Sequence, residues 1–273
     1  MVRFATADHA IAEFQSAITR PTTAWDATLG RLSCVLACIE LESTLRHLPI
    51  DCGVLRQTAC DLLDNVWQES LEHGDIVTSA HWGNLGFAHG WGGLLYTTLQ
   101  MHVQGFILLP ERFMDRVHQF SNALVPGARG QAFEWLNESG HPGGMMAGWC
   151  NGSAGAVQLF TLLHEHDPSG DWLDVAQSLA WHCWETDGGP VDLCCGSAGR
   201  ILALLRVHQL TKDSDWLTRA TYLARRAVVQ APALDHRERE PYSLFKGQLG
   251  LALAVEGVLD PDKACMPMMG VSA

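Results

Sequence analysis

The chain has no apolar run near its start: the opening MVRFATADHAIAEFQ carries Asp8 and Glu13 where an export signal needs uninterrupted hydrophobic residues. No later stretch is long and apolar enough to span a bilayer, so no membrane span is expected and the protein is read as cytoplasmic. Basic residues are few, 18 Lys plus Arg against 30 Asp plus Glu, and the net charge of -12 argues against a phosphate backbone, so no nucleic acid is expected as a partner. Low-complexity tracts and long runs of one charge are also missing, which excludes disorder over most of the length; only the few residues after Pro267 are expected to fray. What remains is 273 residues, 47% hydrophobic, enough to bury a sizeable core in one domain. The nine cysteines are an odd number with no export signal before them, so metal binding, catalysis or burial explains them better than a disulfide framework.

A small-residue motif followed by an apolar helical run occurs four times, as HGWGGLLYTTL, NGSAGAVQLFTLL, CGSAGRILALL and KGQLGLALAVEGVL. Each reads Gly-x-x-Gly and then a buried helix. The first glycines, Gly90, Gly152, Gly196 and Gly247, are 62, 44 and 51 residues apart, a period that fits helix-hairpin repeats. A second series alternates with it, RFMDRVHQFSNALV from Arg112, DWLDVAQSLAWHCW from Asp171 and DWLTRATYLARRAVV from Asp215, charged on one face as surface helices are. Trp216 follows Trp172 by 44 residues, the step from Gly152 to Gly196, so both helices of the unit repeat together. Asp171 and Asp215 suit helix starts, where a carboxylate accepts orphan backbone N–H groups. Residues 32–45 and 54–72 are helical by pattern but lack the glycine motif. The expected fold class is therefore all-α, an α/α toroid or solenoid of roughly five hairpins whose inner helices converge on an axis.

If the four motifs occupy equivalent places, the residues before their first glycines face one common mouth: His89, Asn151, Cys195 and Lys246, and one position earlier Ala88, Cys150, Cys194 and Phe245. Cys150, Cys194 and Cys195 then supply the three protein ligands of a zinc ion whose fourth position stays open. Helix starts lower a thiol's pKa, and thiolate is the ligating form. Three thiolates make the centre electron-rich, which suits keeping a bound thiolate nucleophilic rather than polarising water. His89 is the candidate general acid or base, by its slot and its titration near neutral pH. Lys246 is a candidate to hold an anionic intermediate or contact a peptide, or else a solvated lysine. His81 and His182 lie near the right helices but outside the slots. Trp82, Trp91 and Trp149 are either cavity wall or plain core. Cys34, Cys38, Cys52, Cys60, Cys183 and Cys265 are read as core.

The segments 86–90 (GFAHG), 148–152 (GWCNG), 193–196 (LCCG) and 243–247 (SLFKG) resemble, in order and spacing, the successive signatures of lanthionine synthetase C-like cyclases. The resemblance covers about residues 80 to 267. It divides the chain into N-terminal helices, 1–80, forming part of a toroid, and a cyclase core, 81–273, in one continuous domain. It implies Zn²⁺ on Cys150, Cys194 and Cys195, and a substrate that is a precursor peptide with dehydrated Ser or Thr and a Cys, closed into a thioether ring with help from His89. Asn151 stands where many relatives have a tyrosine, so one assisting role is expected to be missing; Asn151 and Lys246 are the candidate substrate contacts. Cys195 replaces a histidine ligand, giving a three-thiolate set. Seven hairpins are implied where roughly five fit, so the toroid is expected to be incomplete, through a truncation, a lost region, or a surface completed by a partner such as a separate kinase or lyase subunit. An acidic residue that relatives use from an early hairpin has no counterpart legible here. The competing functions are a peptide-binding scaffold without catalysis and the addition of glutathione to dehydrated residues. A glycosidase or terpene-cyclase toroid would need carboxylates at the inner-helix starts, which carry none.

Overall fold

The protein, described here by a computed structural model for residues 7–20, 22–48, 50–72, 74–76, 85–136, 142–231 and 242–269, forms ten helices in those segments. In chain order they are α1 (Ala7–Ile18), α2 (Arg31–Leu45), α3 (Gly53–Leu71), α4 (Trp91–Val103), α5 (Phe113–Asn122), α6 (Ser153–His166), α7 (Trp172–Glu185), α8 (Ser197–Thr211), α9 (Ser214–Gln230) and α10 (Gln248–Leu259). Two short hairpins, β1 (Val125–Pro126) with β2 (Gln131–Ala132) and β3 (Glu134–Leu136) with β4 (Pro142–Met145), bridge α5 and α6. The helical pattern in the sequence predicts none of these strands, because each is too short to show a period.

The two hydrophobic patterns sort the helices into two layers. α2, α4, α6, α8 and α10 pack side by side in that order, and α3, α5, α7 and α9 back them from outside, with α1 laid against α3. In α4, α6 and α8 nearly every residue of the first two or three turns is buried, as a helix enclosed on all sides requires. Leu95, Leu99, Val157, Leu159, Phe160, Ile201 and Leu204 have no more than traces of exposure, and each such side chain contributes about 1.5–3 kcal/mol by burial. The outer helices present only one face, as in α9, where Trp216, Ala220, Leu223, Ala224 and Ala227 turn inward. The N-cap of α9 is Asp213, whose side chain accepts from the Asp215 amide at 2.9 Å, so the capping carboxylate stands two residues before the expected one. α7 closes with help from α8: buried Arg200 donates to the carbonyls of Cys183 (2.6 Å), Thr186 and Gly188 just where the helix leaves its last acceptors bare.

The turns before the inner helices are joined by a belt of backbone hydrogen bonds. Ala27 N donates to Ala88 O (2.8 Å), Ala88 N to Cys150 O (2.7 Å), Cys150 N to Cys194 O (3.0 Å) and Cys194 N to Phe245 O (2.9 Å). Each second glycine of the motif lets this belt close up. A Cβ on Gly93 would stand 3.0 Å from Ala27 Cβ, one on Gly199 3.1 Å from Trp149 Cβ and one on Gly250 2.6 Å from Leu193 Cβ, besides striking a carbonyl of its own turn. Each contact is with the preceding hairpin, so the glycines are ring-packing positions.

The belt also corrects the reading that the N-terminal segments lack the motif. Gly30 precedes α2 with the same extended backbone as Gly196 and Gly247, and its Cβ would strike Asp26 N at 2.5 Å. Only the second glycine is replaced, by Ser33, whose hydroxyl donates to Gly30 O at 2.7 Å. No earlier turn among the described residues packs on that position, so a side chain fits.

Among the described residues α10 packs on α8 and α9, and it leaves Leu249 half exposed and Leu259 76% exposed. The tail after α10 runs back to α8 and α4. Gln209 of α8 donates to the carbonyls of Pro261 (2.8 Å) and Ala264 (2.7 Å), and Tyr96 of α4 donates to Met269 O (3.1 Å). Met266 and Met269 are buried, so the fraying expected after Pro267 does not extend to Met268 and Met269. Cys265 is exposed on this tail rather than in the core; burial of its sulfur and then the nearby Glu40 carboxylate push the thiol's pKa up.

Candidate metal centre

At the belt, a cavity of about 520 Å³ opens over the N-terminal ends of the inner helices. All four predicted slot residues, His89, Asn151, Cys195 and Lys246, line it, together with Cys150, Cys194 and Phe245 from the slots before them. The first hairpin adds Ala27, Thr28 and Leu29, and the tail adds Pro267, Met268 and Met269. The walls are mostly apolar, with polar groups supplied by Thr28, His89, Asn151 and Lys246 besides the cysteines.

The three sulfurs converge because Cys150 and Cys194 are hydrogen-bonded neighbours on the belt and Cys195 follows directly. Cys150 Sγ stands 3.4 Å from Cys195 Sγ and 3.6 Å separates Cys194 Sγ from Cys195 Sγ, with all three within 4.8 Å of one another. A disulfide needs about 2.0 Å, whereas a tetrahedral zinc with bonds of about 2.3 Å sets its sulfurs about 3.8 Å apart. The donor set and its spacing therefore fit a metal ion. Among the described residues this is the one group of three or more potential ligands brought together in this way. Asp192, buried, holds the turn by accepting from Cys195 N at 2.8 Å. Gly148 lets the backbone of Cys195 come close, since a Cβ there would stand 2.8 Å from Cys195 Cα.

Electrostatics in the cluster single out Cys195. Hydrogen bonding with Cys150 and Cys194, and then the ammonium of Lys246, whose Nζ is 3.0 Å from Cys195 Sγ, draw this thiol far below its ordinary pKa against the effect of burial. Cys150, donating to Cys194 and Cys195 and buried besides, is pushed far up. Cys194, although favoured by Cys150, is held up by Cys195 and by burial. Lys246 loses some affinity for its proton by burial but gains more from Cys195 and Cys194, and its pKa rises.

On the opposite wall His89 Nδ1 lies 3.7 Å from Asp26 Oδ2. The other oxygen of Asp26 accepts from Thr28 N (2.8 Å), the Thr28 hydroxyl (3.0 Å) and Leu29 N (2.5 Å). Burial alone would raise the pKa of Asp26, but these donors, with His89, bring it below the usual carboxylate value. Asp26, on the turn before α2, is thus an acidic group beside His89 that the slots before the motif glycines do not include. Its signal was position: it stands four residues before Gly30 as Asp192 stands four before Gly196.

The other candidates separate. Trp149 lines the cavity, buried between Phe87 and Phe245, and its Nε1 and Asn151 Oδ1 are buried without a hydrogen-bond partner. Trp91 is fully buried core beside Trp25, and His81 and Trp82 fall outside the described residues. His182 is half-buried on α7, its Nδ1 2.8 Å from Ser153 Oγ, and takes no part in the cavity; burial and then Arg200 lower its pKa. Cys38 and Cys183 are core, and burial pushes both thiols up to about 12. Cys34, Cys52 and Cys60 are half-buried on α2 and α3.

Fold and site together define an α/α-toroid protein with a thiol-rich centre able to bind a metal at the mouth of its inner helices. A family model described as Lanthionine synthetase C-like protein matches residues 5–270, and the chain belongs to that family. Membership supports a lanthionine-cyclase-like function on peptide substrates. No curated protein matches the chain significantly. No helix among the described residues is long and apolar enough to cross a membrane.

Proposed function

We propose that this chain, working as one continuous domain, is a zinc-dependent cyclase that adds a cysteine thiol of a precursor peptide to a dehydroalanine or dehydrobutyrine, closing a lanthionine or methyllanthionine ring. The observation that carries the reading is the meeting of three sulfurs within 4.8 Å on the wall of a cavity that His89 also lines, with Asp26 behind its ring. Held by Cys150, Cys194 and Cys195, zinc would keep the incoming thiol as a nucleophilic thiolate.

The remaining work falls to the chain's own groups. The new C–S bond forms at the β-carbon, the π electrons of the double bond pass to the α-carbon and its carbonyl, and a proton must then reach the α-carbon. His89 is the group to deliver it or to take the thiol's proton, while Asp26 beside Nδ1 fixes the ring so that Nε2 meets the peptide. Asn151, with an unsatisfied oxygen in the wall, would accept from the peptide, and the apolar walls would exclude water and hold both reacting residues together. Dehydration of Ser and Thr would be supplied beforehand by a separate kinase or lyase subunit acting on the same peptide.

The test is mass spectrometry of a dehydrated, cysteine-containing peptide incubated with zinc-loaded protein, with a thiol-capping reagent added afterwards. Loss of cappable thiol at unchanged mass is the expected result, abolished in Cys195→Ala and reduced about 100-fold or more in His89→Ala. Retained thiol with metal bound would favour a peptide-binding scaffold, and a mass gain equal to added glutathione would favour intermolecular addition.

A further inference from the structure

We propose that Lys246 is a positioning residue that offsets the charge of the three-cysteine centre and so enables it to accept a fourth, substrate thiolate. The inference rests on the metal-binding reading above and concerns what allows an already anionic site to take another anion.

Three thiolates on a divalent ion leave one net negative charge, and a fourth thiolate would leave two. Such a centre repels the ligand it must capture unless positive charge stands beside it. The same turn geometry that aligns the cysteines provides that charge. Phe245 O accepts from Cys194 N at 2.9 Å, which ties the turn of Lys246 to that of the ligands, and Ser243 Oγ accepts from Lys246 N at 3.1 Å. The side chain ends with Nζ 3.0 Å from Cys195 Sγ, a charge-assisted N–H···S contact. No carboxylate pairs with this ammonium in an ion pair among the described residues, so its charge is directed at the sulfurs. The remaining polar groups of the wall cannot substitute for it. Asn151 is neutral, and the Asp26 carboxylate already offsets any charge on His89.

Lysine is well suited to this place. Its ammonium is a compact point charge on a flexible stem, able to follow a sulfur whether or not the fourth ligand has arrived. Because Lys246 is exposed, solvent screens part of the effect, and the expected change is moderate.

The experiment uses the full chain loaded with Co²⁺, whose thiolate charge-transfer band in the near ultraviolet reports each sulfur bound, titrated with 2-mercaptoethanol. Wild type should add a further thiolate band; Lys246→Met should need about tenfold more thiol, or about 1.4 kcal/mol, and Lys246→Glu more still. Lys246→Arg, which keeps the charge, should return close to wild type. That order of affinities, with matching circular dichroism, supports the inference, and faster loss of metal to a chelator from Lys246→Met than from Lys246→Arg is an independent sign. Equal titrations for wild type, Met and Glu variants overturn it while leaving the metal centre standing. Failure of wild type to bind Co²⁺ or Zn²⁺ overturns both.

Discussion

At the scale of residues, Asp26 links the first turn to the chemistry, because one carboxylate serves the backbone with one oxygen and His89 with the other. Its pKa is depressed in the folded protein, so the stabilisation it gives is present above the unfolded value of about 3.9 and is lost as pH falls through the folded value. Asp26→Asn should therefore be less stable than wild type by about 1 kcal/mol at neutral pH. The gap should shrink to nothing in acid, where both side chains are neutral, and urea unfolding at pH 7 and pH 3 reads it directly. On the proposed function, cyclisation by the variant should fall as well, since the imidazole of His89 loses its orienting partner. The three cysteines and His89 were legible as candidates because each is tied to a glycine that can be aligned by eye. Asp26 was not, since its motif keeps one glycine of two and its role depends on a hydrogen-bonded turn that no periodicity reveals.

At the scale of elements, the motif glycines divide the labour: the first admits a tight turn, the second admits the neighbouring hairpin. A methyl group on Gly199 would press on the Leu193 carbonyl and Trp149 Cβ, both part of the belt that carries the cysteines. Gly199→Ala should cost about 3 kcal/mol or more and loosen metal binding at the same time. Ser33→Ala, at the equivalent place of the first inner helix, should cost well under half as much, because it loses only a hydroxyl bonded to its own turn. Thermal unfolding of the two variants, with and without zinc, compares them. Inner and outer helices were legible from their contrasting periods, and 32–45 and 54–72 fall within a residue of α2 and α3. The strands between α5 and α6 were not, being set by pairing rather than by pattern.

At the scale of the whole molecule, five inner helices among the described residues pack side by side, and the segment after α10 turns back to reach α8 and α4. The count of hairpins could be read from the repeats, but the course of the tail could not, because it is set by single bonds, from Gln209 to Pro261 and Ala264 and from Tyr96 to Met269, rather than by a periodic pattern. Tyr96→Phe removes the donor to Met269 O and should free this segment. Hydrogen exchange at residues 264–269 should quicken while the inner helices stay protected, with a loss of about 1 kcal/mol in stability.

A wall made of one short strap has a further consequence. The ligands, the histidine and the lysine all sit on turns locked to one another, where a change in one shifts the next. Pro267 and Met268 border the same chamber yet carry none of that frame, so their side chains can be exchanged for larger, smaller or charged ones without moving a sulfur. On the proposed function, the border that a peptide meets is thus mechanically separate from the centre that would act on it.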